Sequence, residues 1–346
     1  MKIRWFLTTA FLVIVVIGAA LYLTKQPIVF SRPFAAPLID ENYLQLVVRT
    51  LSERFIPRDA HHPAVLAVAG DYIESEFRKS SERVLRQEFL RKGDIYSNVS
   101  AFFGPAEGAR IVVGAHYDSV GTDSSGNYVP GADDNASGVA GLLGLAQLFA
   151  DYSPRVPVEL VAFANEEQPS FGTEFMGSAV HARDLRQRGK DVSLMIDLEM
   201  IGYFSDVPNS QRYHLWIFRR LYPTTADFIA LVGRWNEWGD LLSLKSAMVG
   251  ATALPVLSVS IPYELPRLAD SDHISFWREG FPAIMVTDTS FNRNRNYHGT
   301  HDTWQTLDYH RMGQVIQGVF AYIASRESSQ DAVQPPKKMG RTSSVQ

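Results

Sequence analysis

The sequence predicts an α/β sandwich, with a largely parallel central sheet held between layers of helices. Three observations carry this. Short β-like apolar runs alternate with amphipathic helical patterns along the chain, the order expected when a sheet is built through helical crossovers. The acids and imidazoles with a chemical look fall directly after those runs, at the carboxyl ends of strands, where open α/β sheets gather their ligands. The 346 residues, 46% apolar, have a mean hydropathy of -0.08. This describes a globular chain long enough for one large domain with extensions.

The elements follow in order. Lys2 and Arg4 precede an uncharged run from Trp5 to Thr24 rich in Leu, Ile, Val and Phe. As a helix it would cover a hydrocarbon core of roughly 30 Å. No small-x-small cleavage site follows it, so residues 1–24 read as a transmembrane anchor rather than a removed signal peptide. The basic N-terminus stays cytoplasmic, which puts the remaining chain on the extracytoplasmic side, periplasmic or lumenal; secretion after cleavage is the alternative. Residues 25–38 contain three prolines and no helical period, and read as a linker. The domain then occupies 39–326. Asn42–Phe55 and Pro63–Phe77 carry helical spacing, and β-like runs follow at Val84–Phe89, Ser97–Phe103, Ile111–Ala115, Val156–Phe163, Val192–Leu198, Val256–Ile261 and Ala283–Thr287. Between them lie the helical patterns Ser137–Ala150, Thr173–Arg188, Thr224–Trp238 and Ile274–Glu279, and a final helix is expected over Asp308–Ser325. Residues 327–346, with Gln, Ser, Lys and a Pro-Pro pair, read as a disordered tail.

Composition excludes several classes. Net charge is -4 and no dense Lys/Arg run occurs, so nucleic acid is not an expected partner. The chain has no cysteine, which removes disulfides and thiolate metal ligands.

What remains is a set of imidazoles and carboxylates, the donor chemistry of zinc used for catalysis. His116 and Asp118 stand two apart at a strand end and can face the same side; His116 reads as a zinc ligand, with Asp118 fixing its other ring nitrogen. Asp133 lies in Gly131-Ala132-Asp133-Asp134-Asn135-Ala136-Ser137-Gly138. Its two oxygens make it the candidate bridge between two metals, while Asn135 or Ser137 suits the N-cap of the helix that follows. Glu166 and Glu167 are adjacent, so in extended chain they face opposite ways. Glu167 is assigned to metal and Glu166 to the general base. Asp197 sits in the apolar strand Leu194-Met195-Ile196-Asp197-Leu198, where an unpaired carboxylate is costly to bury and a metal would relieve it. Glu199, two residues on, competes for that role. His298 is the last proposed ligand, with His301 as its competitor. Three carboxylates and two imidazoles exceed one tetrahedral zinc and fit two Zn2+ per chain sharing a ligand. The +4 of two zincs against the -3 of Asp133, Glu167 and Asp197 leaves one hydroxide to complete neutrality.

Together these motifs resemble the M28 family of zinc peptidases, the bacterial aminopeptidase type, over residues 40–325. The resemblance is carried by His116-Tyr117-Asp118-Ser119, by the Gly131–Gly138 stretch and by Asn165-Glu166-Glu167. Ser271-Asp272-His273 with Phe276 and Gly280-Phe281-Pro282-Ala283 adds to it, as does Tyr297-His298 followed by Asp302-Thr303. It implies a mixed sheet of about eight strands between helices, zinc on His116, Asp133, Glu167, Asp197 and His298, Glu166 as base, and peptide substrates. Two departures stand out. His301 occupies a position where the family often has Asp. The sequence Asp197-Leu198-Glu199-Met200-Ile201-Gly202 replaces the common Asp-Met-Ile-Gly, which leaves the register of that ligand open. No insertion of protease-associated-domain size precedes His116, which points away from the glutamate-carboxypeptidase branch. Glutaminyl cyclases share the fold but use one zinc and eliminate ammonia. The Asp133-Asp134 pair favours the two-zinc peptidases, and the segment Gln168–Phe175 keeps the cyclase as the alternative. An inactive binding scaffold would have lost ligands, and all are present here.

Overall fold

The structure is a computed structural model that describes residues 2–25, 29–31, 33–213, 216–261 and 270–326. The tail expected to be disordered, 327–346, lies outside the described residues, as do 26–28 and 32 of the linker. Helix α1 spans Lys2–Lys25. Of the Trp5–Thr24 run, side chains are described as far as Ala19, and Trp5, Phe6, Phe11, Ile14 and Val16 are exposed. Among the described residues, no helix is long and apolar enough to cross a membrane.

Helices α2 (Glu41–Arg54) and α3 (Pro63–Arg78) open the domain. Asp40 caps α2 by accepting from Asn42 N at 2.9 Å, and Pro63 at the start of α3 fits where no intrahelical N–H is needed. The strands are β1 (Val84–Arg91), β2 (Asp94–Phe103), β3 (Arg110–His116), β4 (Val158–Phe163), β5 (Val192–Glu199), β6 (Ile229–Arg234), β7 (Val256–Ile261) and β8 (Ala283–Thr287). The remaining helices are α4 (Gly138–Asp151), α5 (Gly177–Gln187), α6 (Trp216–Leu221), α7 (Trp238–Ala251), α8 (His273–Arg278) and α9 (Tyr309–Ala324). One eight-stranded sheet runs in the order β1-β2-β4-β3-β5-β8-β6-β7. Its centre, β4-β3-β5-β8, is parallel; β1-β2, β2-β4 and β8-β6 are antiparallel. The expected three-layer α/β sandwich with a mixed sheet of eight strands is therefore the fold observed.

The two faces differ. On one, the large core packs Leu44, Val48, Leu142, Leu145, Ile316 and Val319 of α2, α4 and α9 against the sheet. On the other, α5 and α8 cover Val112, Phe163, Met195 and Met285. One element departs from the sequence reading. Thr224–Trp238, expected as a helix, contains strand β6, and helix α7 begins only at Trp238. Five of the six residues of β6 are buried. A strand covered on both faces shows no alternation, so an apolar run of this length has no period that separates it from a helix.

Candidate metal centre

The central parallel strands fix the first half of the site through their register. Gly114 of β3 pairs with Asp197 of β5, so two residues further on His116 stands level with Glu199. Both end their strands, and His116 Nε2 lies 3.3 Å from Glu199 Oε2. Asp197 is on the same face but one pleat repeat lower, about 7 Å back along the strand. There it is fully buried and its Oδ2 accepts from His273 N and Nδ1, each at 3.0 Å. The Asp197 expectation is thereby corrected: alternation puts residues 197 and 199 on one face, and only the end of the strand brings Glu199 to His116.

The second carboxylate is displaced too, here by one residue. After Gly131 the chain makes a single wide turn over Ala132–Ser137 before α4. Gly131 has φ +59, and a Cβ there would collide with the Asp134 carbonyl oxygen, so this turn requires glycine. Asp133, the expected bridge, points away from the imidazoles and accepts from Gly202 N at 3.0 Å and Asn294 Nδ2 at 2.8 Å. Asp134 takes its place: Oδ1 lies 3.4 Å from His116 Nε2 and Oδ2 lies 3.1 Å from His298 Nε2. Asn135 Oδ1 accepts from Gly138 N at 3.1 Å where α4 begins. The buried Arg58 ties the turn to the end of β3 by donating to the carbonyls of Tyr117, Pro130 and Gly131.

Glu166 and Glu167 follow β4 through Asn165, which has φ +60. The Asp118 carboxylate accepts from both Glu166 N and Glu167 N at 3.0 Å. Asp118 thus holds the glutamate loop, while His116 Nδ1 meets the Asp118 carbonyl at 3.2 Å rather than its side chain, whose nearer oxygen is 3.6 Å away. The two glutamates diverge as expected. Glu166 Oε2 approaches His116 Nε2 at 4.0 Å, and Glu167 Oε1 approaches His298 Nε2 at 3.2 Å. His298, at φ +55, stacks on Tyr297 with ring centroids 3.8 Å apart. His301 is exposed and its Nδ1 lies beside Thr300 Oγ1 at 3.3 Å, outside the cluster. Asn165, Met200 and His298 are non-glycine residues in the left-handed region. Each costs on the order of 1–3 kcal/mol, and such residues gather at functional sites.

The result is two groups of ligand atoms, His116–Asp134–Glu199 and Asp134–Glu167–His298, each with all its atoms within 4.8 Å of one another. Asp134 belongs to both. Sequence reasoning brought together His116, Glu166, Glu167 and His298, and named Glu199 as a competitor. It missed Asp134 as the shared acid. It also missed the supports: Ser271 Oγ donating to Glu199 Oε2 at 2.8 Å, and Asp302 accepting from Asp133 N at 3.0 Å and Asp134 N at 3.2 Å. The signal for both was their place in quoted motifs; what was absent was the fold of the intervening turn.

Electrostatics set the site apart from an ordinary polar cluster. Burial opposes charge on His116, but Glu166 and Glu199 outweigh it and hold the imidazole well above its usual value. Burial likewise opposes charge on His298, and Asp134 and Glu167 lift it to about 10. Burial pushes Glu166 well above the carboxylate range and Glu199 up to about 7. Asp134 is the exception: despite burial, His116 and His298 hold it below its ordinary value. Glu167 Oε1 and His298 Nε2 are buried atoms that meet at 3.2 Å without hydrogen-bond geometry, as two ligand atoms directed at a common point would. Nitrogen and carboxylate donors converging without sulfur fit zinc, and the chain's residues fit that group.

The chain is 41% identical to YfbL of Escherichia coli, itself an uncharacterized protein, over 316 residues that cover 91% of this chain and 97% of that one. It is 30% identical over 241 residues to a probable zinc metalloprotease of Leptosphaeria maculans, covering 66% of this chain and 54% of that one. The chain therefore spans about half the length of that fungal relative. Among solved structures, the LapA aminopeptidase of Legionella pneumophila superposes with TM-score 0.66 at 18% identity, over 84% of this chain and 73% of that one. A Bacteroides thetaiotaomicron glutaminyl cyclase bound to N-acetylhistamine superposes with TM-score 0.63 at 18% identity, over 84% of this chain and 100% of that one. At these identities the likeness is one of fold. Residues 98–323 match peptidase family M28, and the chain belongs to that family.

Proposed function

We propose that the protein is a di-zinc aminopeptidase, hydrolysing N-terminal residues from peptides, in which Asp134 would be the ligand common to both metal sites. His116 and Glu199 complete one site; Glu167 and His298 complete the other. The observation that carries this is the placement of the two Asp134 oxygens, one toward each imidazole. Zinc held by these residues would supply a Lewis acid for the scissile carbonyl and lower the pKa of water. Glu166, raised by burial and free of a metal-facing role in either triad, accepts the proton from the attacking water and passes it to the leaving amine. Asp118 keeps Glu166 and Glu167 divergent through their two N–H groups.

The cyclase reading needs one zinc, and the presence of His116–Asp134–Glu199 beside Asp134–Glu167–His298 argues against it. Zinc analysis beside product analysis separates the two. The peptidase reading expects about two Zn2+ per chain and a free amino acid from aminoacyl p-nitroanilides. One zinc with ammonia from N-terminal glutaminyl peptides would establish the cyclase.

The N-terminal segment is proposed as an anchor that places the domain on the extracytoplasmic side. Lys2 and Arg4 ahead of the uncharged run and the exposed apolar side chains of α1 support this. Carbonate-resistant retention in the membrane fraction is expected for the full chain, and release by high salt alone would reject the anchor.

A further inference from the structure

The described part of the linker is fastened to the domain. The Phe30 carbonyl accepts from Ser246 Oγ of α7 at 2.6 Å, and Phe34 N donates to the Gly250 carbonyl of the same helix at 2.9 Å. The Phe34 ring meets Phe320 of α9 with centroids 6.3 Å apart, and the Pro37 carbonyl accepts from Gln317 Nε2 of α9 at 2.8 Å. Five residue steps separate Lys25, the end of α1, from Phe30, a reach of at most about 18 Å. The helix itself comes against β7. Its described side chains from Arg4 to Ala19, Ala10 apart, are nevertheless exposed, so its apolar length stands clear of the domain. An anchor tied this closely fixes which side of the domain faces a bilayer.

That side carries the two exposed tryptophans of the domain. Trp235, 60% exposed, follows β6, and its Nε1 donates to the Ser260 carbonyl of β7 at 3.3 Å. Trp216, 76% exposed, opens α6, and Tyr222 just past that helix donates its hydroxyl to the Ser258 carbonyl of β7 at 2.9 Å. Arg219 and Arg220 of α6 are exposed as well, as are Phe30 and Val249 where the linker meets α7. Trp238, Trp277 and Trp304 are half-buried or buried. Tryptophan, with an apolar body and one polar edge, settles at headgroup level, and arginines there attract anionic phospholipid. β7 is one edge of the sheet and β1 the other, seven strand spacings or roughly 34 Å away. The β1–β2 hairpin exposes Leu85, Leu90 and Ile95 but has no tryptophan.

We propose that the surface around β7, with Phe30, Trp216, Arg219, Arg220, Trp235 and Val249, rests on the lipid headgroups of the membrane that α1 enters. The inference rests on the anchor reading of residues 1–24. The occupant is a phospholipid surface with anionic headgroups, because the anchor is delivered to this face and the charged residues of α6 are both arginines. Docking also sets the reach of the metal centre. Phe218 of α6 lines the cavity that ends at Asp134, Glu167 and His298, so the site is held beside the membrane surface rather than at the end of a loose tether.

The chain has no cysteine, so single cysteines report position without background. The test uses full-length Trp216→Cys, Val249→Cys and Leu90→Cys, each carrying an environment-sensitive fluorophore. They are reconstituted into phosphatidylcholine–phosphatidylglycerol vesicles that contain a nitroxide lipid labelled near the headgroup. Circular dichroism verifies that each variant is folded. Labels at positions 216 and 249 should lose fluorescence to the nitroxide, and the label at position 90 should not. Each arginine at an anionic surface is worth about fivefold in binding, so Arg219→Gln with Arg220→Gln should shift the docked-to-undocked ratio read at position 249 by about 25-fold toward the undocked form. A label at 216 or 249 quenched no more than the one at 90, or a ratio that the arginine variant leaves unchanged, would overturn the docking surface; carbonate-resistant retention of the same samples would leave the anchor intact. Release of the labelled full chain by carbonate would reject the anchor reading, and the docking surface with it.

Discussion

The two triads use the same kinds of donor and share Asp134, yet they are built differently. In His116–Asp134–Glu199 every side chain is nearly enclosed, with exposures of 1%, 5% and 12%. Glu199 is held by Ser271 Oγ at 2.8 Å and His116 by the Asp118 carbonyl at 3.2 Å. In Asp134–Glu167–His298 the imidazole is 35% exposed, and Glu167 Oε1 and His298 Nε2 meet at 3.2 Å without hydrogen-bond geometry. Two members of the first triad, His116 and Glu199, end adjacent strands of the sheet, whereas Glu167 and His298 of the other come from loops. A site on rigid elements keeps its geometry without its ion, whereas a rim site relies on the ion to hold it together. The difference predicts an inner metal that exchanges slowly and an outer one that a chelator removes first.

The strongest way to break the comparison is to remove the shared acid. Asp134→Asn keeps the size of the side chain and its amide can still face one imidazole. It should lose both metals and lower turnover by about 10⁴-fold or more, beyond what loss of a single general base explains. Loss of only one zinc would mean the triads are independent. Glu166→Gln comes next: zinc per chain stays at the wild-type value while kcat falls by roughly 10²–10⁴-fold, with little change in KM. Zinc loss in this variant would give Glu166 a ligand's role and reverse its assignment relative to Glu167.

Chelation adds a pH signature. In the metal-free protein Glu199 is raised to about 7 and His298 to about 10. Both contribute stability that is complete at low pH and is lost as pH rises, for Glu199 from its unfolded value near 4.5 through 7. For the buried Glu199 the shift corresponds to about 3 kcal/mol. The melting temperature of EDTA-treated protein should therefore fall from pH 5 to pH 9, and zinc should flatten the profile. A metal-free protein most stable at pH 9 would contradict the cluster's charge arrangement. Ser271→Ala is the mildest test. It removes the hydroxyl that orients Glu199 and should weaken inner-site zinc by about 10- to 100-fold, leaving the outer site to titrate as before. Equal weakening of both sites would show that the bracing is not local.

Much of this was legible in the sequence, and the misses have specific causes. The seven β-like runs read from the sequence are strands of the sheet, and the helices after Asn42, Pro63, Ser137 and Asp308 lie where the spacing put them. β6 was not, because burial on both faces erases its period. At the site, the apolar strand before Glu166 and Glu167 made their opposed directions predictable. The choice between Asp133 and Asp134 depended on the turn over Ala132–Ser137, which has no repeat to read. The choice between Asp197 and Glu199 depended on where β5 stops, since both lie on the same face. Arg58 gave no signal at all, because its partners are backbone carbonyls brought together only by the fold.

The central claim is that two metals share Asp134. Anomalous diffraction at the zinc edge from crystals of the zinc-loaded protein tests it most directly. The account predicts two peaks about 3.5–4 Å apart, one bonded to His116 and Glu199, the other to Glu167 and His298, with an Asp134 oxygen on each. A single peak at Glu167 and His298, or a peak bonded to Asp133 or Asp197, would contradict it.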